Sequence, residues 1–295
     1  MDIAVLSDIH GNYIALQKCI EYALEKNITT FILLGDYLGE LAYPQKTMEI
    51  LYALQNKYTC YFIKGNREEY FLNYKKNGET GWRDKDSTTG SLLYVYNNLT
   101  EREFTFFEGL EHRQELAFKG LPAFTICHGS PNRTKEKMKP GDERTYEIMQ
   151  EHKNAIILCG HTHKQTKIVH EDKMVLNPGS VGIPLHSGGK TQFMILHGSE
   201  MSWQYEFLSL EYDVEKVISE LFEAGLDERA PYWCKTTEHL LRTGEVSHGV
   251  ALERAMQLCR EEIGECRWPN VPEKYWARAV EELYRKVIVA ENGDS

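Results

Sequence analysis

The feature that most constrains the fold is an alternation of short apolar runs with amphipathic segments over the first 63 residues. The apolar runs are five or six residues long, and the segments between them carry apolar residues every three or four positions. Such alternation is typical of β-α-β units, in which helices cover a mainly parallel sheet. The predicted strands here are 2–7, 30–34 and 59–63, and the predicted helices are 12–26 and 44–55.

The pattern changes after residue 159, where strands follow one another without helices between them. Strands are predicted at 123–127 and 155–159, and then, joined by short links without helices, at 165–171, 173–176, 191–196 and 202–209. Short links favour an antiparallel arrangement, so these last four strands predict a second, largely antiparallel sheet. Two sheets packed face to face with helices outside would bury the apolar faces of both.

The chain becomes helical from Asp213, which can cap a helix that ends at Gly225. Further helices are predicted at 233–242, 247–264 and 272–288. We therefore divide the chain into a first domain, 1–210, and a helical C-terminal extension, 211–295. The extension can cover the sheets or mediate homo-oligomer formation.

Two polar segments, 77–91 and 131–143, are predicted to be surface loops, the first of them mobile. Trp82 or Arg133 in these loops could stack on or clamp a nucleotide, although a simply solvated loop is the simpler interpretation. The tryptophans of the extension are predicted to be core residues: Trp233, Trp268 and Trp276.

Composition limits the possible partners. The formal net charge is −10, and residues 211–295 hold 18 acidic against 11 basic side chains. Nucleic-acid binding is therefore disfavoured, because it depends on Lys and Arg displacing counterions from phosphates. A small phosphorylated molecule can still bind if metal ions supply the positive charge locally.

The location of the protein is predicted to be cytoplasmic. The first residues run directly into a strand, without the basic and apolar regions of a signal peptide. No segment approaches the ~18 apolar residues of a membrane span. The seven cysteines are scattered without a CxxC pair, which favours reduced core thiols over a disulfide framework.

Polar side chains follow five of the predicted strands at the point where each strand ends. In an open α/β sheet this edge is where ligands bind, and residues two apart on extended chain point the same way. We expect these side chains to converge: Asp8, His10, Asp36, Asn66, His128, His161 and His163. A single His or Asp at such a position is usually only a hydrogen-bonded or capping residue, and it is the coincidence at five strand ends that indicates a metal site.

The types of these side chains indicate which metals they could bind. Imidazoles, two carboxylates and one amide oxygen suit divalent Mn, Fe or Zn better than Ca or Mg. A Ser or Cys nucleophile is the competing mechanism, but no nucleophile-elbow pattern surrounds Ser7, Ser130 or Ser180.

The motifs resemble those of the calcineurin-like metallophosphoesterase superfamily over residues 1–210. They are DIH at 8–10, GD at 35–36, GN at 65–66, HG at 128–129 and GHTH at 160–163. The runs HGSP at 128–131 and NPGSVGIP at 177–184 are similar to the bacterial phosphodiesterase branch, which includes diadenosine-tetraphosphatase-like proteins.

The resemblance implies an α/β fold, a four-layer α-β-β-α sandwich, and two divalent metal ions. It implies that one metal is held by Asp8, His10 and His163, that the other is held by Asn66, His128 and His161, and that Asp36 bridges them. Two cations ~3.5–4 Å apart lower the pKa of a bridging water, and the resulting hydroxide attacks phosphorus in line. The residues predicted to be catalytic are Asp36, Asn66, Arg67 and His128.

The chain departs from the family at two positions. Many relatives have a His after the GN motif, assigned to protonating the leaving group, where this chain has Arg67. A guanidinium cannot act as a general acid, but it can clamp a phosphate, or simply pair with Glu68 or Glu69. The second block reads GDYLGEL at 35–41 and lacks the phosphate-binding Arg of the protein Ser/Thr phosphatases, which disfavours phosphoprotein substrates.

The sequence therefore predicts a binuclear-metal phosphoesterase that hydrolyses a phosphodiester, a phosphoanhydride or an activated phosphomonoester of a small molecule. A dinucleoside-polyphosphate hydrolase is the alternative within this class. A non-catalytic phosphate-binding sensor or scaffold is the alternative from another class, and a nuclease is disfavoured by charge.

Overall fold

In the computed structural model, which describes residues 1–293 and their side chains as far as Arg285, two five-stranded sheets form the centre of the fold. The first sheet, in the order β10-β9-β1-β2-β3, contains β1 Asp2–Leu6, β2 Thr30–Leu33, β3 Thr59–Phe62, β9 Thr191–Ser199 and β10 Ser202–Leu210. The second, in the order β4-β5-β6-β8-β7, contains β4 Arg113–Leu116, β5 Phe124–Cys127, β6 Ile156–Leu158, β7 Gln165–His170 and β8 Lys173–Pro178.

The helices fall into two groups along the chain. Those among the sheets are α1 Tyr13–Glu25, α2 Pro44–Lys57, α3 Asn66–Lys76, α4 Gly90–Asn97, α5 Glu101–Gly109 and α6 Glu143–Glu151. Those of the extension are α7 Val214–Glu223, α8 Leu226–Arg229, α9 Pro231–Thr243, α10 His248–Ile263 and α11 Glu273–Gly293. None of these described helices combines the length and apolar character that a membrane span requires.

The alternation of side chains along β1 shows how the layers pack. Ile3 and Val5 lie between the sheets and pack with Phe124 of β5, whereas Ala4 and Leu6 point to the other face, toward α1 and α2. Helix α6 covers the outer face of the second sheet. A strand buried on both faces needs apolar residues throughout, which explains the continuous run that begins the chain. The predicted four-layer α-β-β-α sandwich with C-terminal helices is confirmed.

The predicted composition of the second sheet was wrong. Strands β9 and β10 belong to the first sheet, where β9 pairs antiparallel with β1 and places Met194 opposite Val5. Strands β7 and β8 join the second sheet, which is mixed because β5, β6 and β8 run parallel. Short links predict that neighbouring strands pair with each other, but they do not determine which sheet a hairpin joins.

The prediction of a mobile loop over 77–91 was wrong for its second half. Residues 86–91 are buried, and α4 begins at Gly90. Trp82 packs inward on Tyr74, with ring centroids 4.0 Å apart and an interplanar angle of 6°, so it is not positioned to stack on a ligand. Ser87 and Thr88 can be buried here because they bond to the helical extension, whereas the carboxylate of Asp86 bonds within the segment.

Contacts with this buried segment fix the extension against the sheets. The backbone N–H and the hydroxyl of Ser87 donate to Glu273 of α11 at 2.6 and 2.7 Å. The indole N–H of Trp276 donates to Thr88 at 2.9 Å. A Cβ at Gly90 would lie only 1.9 Å from the carbonyl oxygen of Arg229, so the close approach of the two segments requires glycine.

The tryptophans of the extension have different environments. Trp233 and Trp276 are buried in a core formed by α9, α10 and α11, as predicted. Trp268 is 44% exposed, which contradicts its prediction as a core residue. Its ring stacks on Tyr70 of α3, outside the extension.

Candidate metal centre and active site

The side chains predicted as metal ligands gather at one edge of the molecule. The loops after β1, β2, β3, β5 and β6 supply them, at the carboxyl ends of the strands. Short contacts between donor atoms connect six of the seven, and the ring of His161 lies beside that of His128 in the same cavity. All seven are at most partly exposed, and Asp8 and His128 are fully buried.

The backbone at these positions is unusual. Five of the seven residues have positive φ angles, between 52° and 67°, although none is glycine: Asp8, His10, Asp36, His161 and His163. Such conformations are strained for L residues and persist only when neighbouring structure enforces them. Here the backbone N–H of Asp8 donates to the carbonyl oxygen of Gly35 at 3.1 Å, and the backbone N–H of His10 donates to the carbonyl oxygen of Asp36 at 2.9 Å.

One group of donor atoms is formed by Asp8, His10 and His163, whose ligand atoms lie within 4.8 Å of one another. The Nε2 atoms of His10 and His163 are 3.1 Å apart. The same nitrogen of His163 is 3.2 Å from Oδ1 of Asp8. These are the residues that the resemblance assigns to one metal.

A second group is formed by Asp8, Asp36 and His128, also within 4.8 Å. Nε2 of His128 lies 3.4 Å from Oδ1 of Asp36 and 3.1 Å from Oδ1 of Asn66. The other carboxylate oxygen of Asp36 lies 3.7 Å from Nε2 of His10. Asp36 therefore presents one oxygen to each group, which is the geometry a bridging ligand needs.

His161 lies at the edge of this arrangement. Its ring centroid is 5.2 Å from that of His128, and its backbone N–H donates to Asp8 at 2.9 Å. Burial, followed by the neighbouring charge of His128, lowers the pKa of His161 to about 3, so the ring is neutral and has a lone pair. His161 belongs to neither of the two groups of donor atoms found among the described residues, so its role as a ligand stays a prediction.

The contacts of Nδ1 in three of the imidazoles determine whether the inner nitrogen, Nε2, carries a proton or a lone pair. Nδ1 of His128 lies 2.7 Å from the carbonyl oxygen of Leu34, and Nδ1 of His163 lies 3.1 Å from that of Ile183. Nδ1 of His10 lies 2.6 Å from a carboxylate oxygen of Glu40. Because each Nδ1 faces an acceptor, it carries the proton, and in the neutral ring Nε2 has a lone pair directed inward.

This arrangement fits divalent cations. When both Nδ1 atoms are protonated, the Nε2 atoms of His10 and His163 face each other at 3.1 Å, each with a lone pair. The two lone pairs repel each other unless a cation or a proton lies between them. Burial lowers the pKa of His10, but the neighbouring carboxylates Glu40, Asp8 and Asp36 together outweigh it and raise the pKa to about 10. Burial lowers the pKa of His128, but Asp36, Asp8 and the contact with Leu34 together raise it to about 9. The potential that attracts protons here also attracts metal cations.

Comparison with known proteins identifies the family. The family model of the calcineurin-like phosphoesterase superfamily domain matches residues 1–201. The chain belongs to this superfamily. It is a metal-dependent phosphoester hydrolase, and the predicted class of enzyme is confirmed.

Individual relatives of this phosphoesterase are distant. An uncharacterised protein of Methanocaldococcus jannaschii is 25% identical over 253 residues, which cover 78% of this chain and 94% of that protein. The crystal structure of a hypothetical protein from Pyrococcus horikoshii aligns with a TM-score of 0.68 at 20% identity, over 83% of this chain and 99% of that one. A metallophosphoesterase from Sphaerobacter thermophilus aligns with a TM-score of 0.64 at 19% identity, over 83% and 100% of the two chains. At these identities the structures show a shared fold.

Glu40 is a residue of the site that sequence reasoning missed. It is buried, contacts His10 on one oxygen and forms an ion pair with Arg67 on the other. Burial raises the pKa of Glu40, but Arg67 and His10 outweigh this and hold the pKa well below its usual range. The alternative considered for Arg67 was pairing with Glu68 or Glu69, but its ion pair is with Glu40, which reaches it from the second ligand loop.

Glu68 is a second residue that was missed as part of the site. Its carboxylate accepts hydrogen bonds from the backbone N–H groups of Gly65, Asp36 and Tyr37, at 2.7, 3.0 and 2.9 Å. It thereby ties the ligand loops after β2 and β3 together. Its position three residues after the helix N-cap is the signal that could have revealed it.

A cavity of about 650 Å³ opens onto the ligands. Its walls include Thr88 from the first predicted loop and Lys137 and Lys139 from the second. Trp82 and Arg133, which we had considered as nucleotide contacts, are not among its described lining residues. Several lining residues belong to the helical extension, so the extension forms part of the active-site wall.

Proposed function

We propose that this phosphoesterase hydrolyses a phosphodiester, a phosphoanhydride or an activated phosphomonoester of a small molecule with the aid of two divalent metal ions, Mn, Fe or Zn. The observation that carries the proposal is the convergence of two groups of donor atoms that share Asp8, with Asp36 facing both. When bound, the cations activate water and neutralise charge on the phosphoryl oxygens.

The roles proposed for the residues are those that the resemblance to the superfamily implies. Asp8, His10 and His163 would hold one ion, and Asn66, His128 and His161 would hold the other. Asp36 would contribute to both. The hydrogen bonds to Leu34 and Ile183, and the close contact with the Glu40 carboxylate, keep the rings of His128, His163 and His10 in the tautomer that presents Nε2.

Hydrolysis of bis(p-nitrophenyl) phosphate in the presence of Mn²⁺ tests the proposal. We expect turnover of the metal-loaded protein, loss of turnover after treatment with EDTA, and recovery when Mn²⁺ is returned, because the donor groups are preformed. Metal analysis of the purified protein should give close to two ions per chain. A protein that binds the metals and hydrolyses no diester, monoester or nucleotide would support the scaffold function instead.

Arg67 predicts a preference for good leaving groups. It occupies the position where relatives have a proton-donating His, and its guanidinium stays protonated at any working pH. Its pKa is lowered by burial but raised further by Glu40 and Asp36. We propose that alkyl monoesters, whose leaving groups need a proton, are hydrolysed slowly.

A series of esters with leaving groups of different pKa tests this preference in the wild type and in Arg67→His. We expect the wild-type rate to fall steeply as the pKa of the leaving group rises, and the fall to be shallower in Arg67→His, by about 10²-fold at the alkyl end of the series. The exposed Arg102→His is a matched control and should follow the wild type. An equally flat dependence in both proteins would contradict the role assigned to Arg67.

The basic residues of the cavity support the alternative substrate, a dinucleoside polyphosphate. Lys137, Lys139 and Lys164 line the cavity in a chain whose net charge is −10. Cations concentrated at one site in an acidic protein favour a substrate with several phosphates. We therefore include in the proposal the similarity to the diadenosine-tetraphosphatase-like branch that the HGSP and NPGSVGIP runs indicate.

We also propose a cytoplasmic location. All seven cysteines are free, and five of them are buried. Burial raises the pKa of Cys19 to about 12 and that of Cys159 to about 12, so these thiols are unreactive core residues. Free thiols of this number are typical of a reducing compartment.

A further inference from the structure

The two sides of the active-site cavity differ in chemistry. The side formed by the sheet loops carries the metal-ligand candidates and Arg67. The other side is formed by the helical extension and is mainly apolar, with Trp233, Leu240, Val250 and Leu252. The side chains of Val250 and Trp268 also line it and are 47% and 44% exposed. Exposed apolar surface beside a polar reaction centre marks a place where an organic group binds.

An aromatic pair lies at the edge of this apolar wall. The rings of Trp268 and Tyr70 are 6.0 Å apart at their centroids and inclined by only 25°. Two cations lie near the Tyr70 ring, with Lys135 Nζ at 4.2 Å and the Arg67 guanidinium carbon at 5.7 Å from its centroid. A flat ring attached to a phosphate can stack on such a surface while its charge lies near the cations.

His248 adds a hydrogen-bond acceptor to the apolar wall. The Thr237 hydroxyl donates to the carbonyl of Trp233 at 2.9 Å, so the contact of 2.7 Å between that hydroxyl and Nε2 of His248 requires Nε2 to carry the proton. Burial lowers the pKa of His248 to about 3, which keeps the ring neutral. Nδ1 therefore has a lone pair and, among the described residues, no hydrogen-bond partner. It can accept from an N–H or O–H of a ligand in the cavity.

We propose that the helical extension determines substrate specificity by binding a planar aromatic heterocycle carried by the alcohol that is esterified to the phosphate, as in a nucleotide. The ring stacks at the Trp268–Tyr70 pair and packs on Val250 and Leu252, and His248 accepts one of its hydrogen bonds. This inference rests on the proposed hydrolase function and deepens it by naming a substrate class. Small alkyl esters fill the metal-facing side alone and are poorer substrates.

Two diesters with the same leaving group test the inference: the p-nitrophenyl ester of thymidine 5′-monophosphate and methyl p-nitrophenyl phosphate. We expect the wild type to favour the thymidine ester in kcat/KM by at least about tenfold, the size of one base-stacking interaction. Trp268→Ala should lose most of this preference, through a fall in kcat/KM for the thymidine ester. Phe222→Ala removes an equally exposed aromatic ring of the extension that does not line the cavity, and it should leave both rates unchanged.

A binding measurement separates failure of this inference from failure of the hydrolase function. Calorimetric titration of the Mn²⁺-supplemented protein with thymidine 5′-monophosphate and with methyl phosphate should show the same preference, and its loss in Trp268→Ala. If the preference is found without turnover of either diester, the hydrolase function fails and recognition of the ring stands. Equal wild-type affinities, or a full preference retained in Trp268→Ala, would overturn the inference.

Discussion

Replacing Asp36 by Asn is expected to lower kcat for bis(p-nitrophenyl) phosphate by at least about a thousandfold, which corresponds to several kcal/mol of lost transition-state stabilisation. Oδ1 of Asp36 accepts the N–H of Arg67 at 2.8 Å, so an Asn would keep its oxygen there. Its NH₂ group would then occupy the position of Oδ2, 3.7 Å from Nε2 of His10. The carboxylate proposed to bridge the metals would become a neutral amide, whose NH₂ group repels a cation.

Metal content and kcat should both be measured for Asp36→Asn at saturating Mn²⁺. The exposed Asp172→Asn makes the same chemical change away from the site and should match the wild type in both. A variant that keeps a rate within tenfold of the wild type would show that Asp36 does not bridge the metals.

Glu40→Gln is expected to weaken metal binding by about 10–100-fold and to lower the free energy of unfolding by about 3–5 kcal/mol. The first effect follows because Glu40 fixes the ring of His10, and the second because Arg67 would lose the anion that balances its buried charge. Metal titration by calorimetry and urea unfolding of the metal-free protein measure the two effects separately.

The double variant Glu40→Gln/Arg67→Met makes this prediction specific. Removing both charges should restore much of the stability, because a pair of apolar or neutral groups has no uncompensated charge. Metal affinity should stay low, since His10 still lacks its anchor. Glu21→Gln, an exposed position on α1, is the control and should change neither property. Restored metal affinity in the double variant would mean that Glu40 acts only through Arg67.

The positive φ angles explain how short loops can form this site. Asp8 and His10 are two residues apart, and both have left-handed backbone conformations. The two side chains therefore converge from left-handed backbone, and not from the extended chain on which their convergence was predicted. A glycine allows the neighbouring loop to approach: a Cβ at Gly65 would lie 2.3 Å from the amide nitrogen of Asp36.

Some elements had signals in the sequence that we did not use. Helix α5 was not predicted, although Thr100 and Glu103 form a capping box at its N-terminus in the structure. Strand β4 was also missed, because its sequence RQEL has one buried apolar residue, Leu116, at the edge of the second sheet. Edge strands bury little surface and therefore carry weak patterns.

The sequence by itself determined the superfamily, the layered α/β fold and the positions of the predicted ligands. These features depend on local patterns, because an apolar run specifies a buried strand and a polar residue after it lies at the carboxyl edge. Only the tertiary structure decided that β9 joins the first sheet, that Glu40 contacts Arg67, and that Trp268 lies at the cavity. Each of these depends on segments far apart in the chain coming together, and no periodicity within a segment encodes its distant partner.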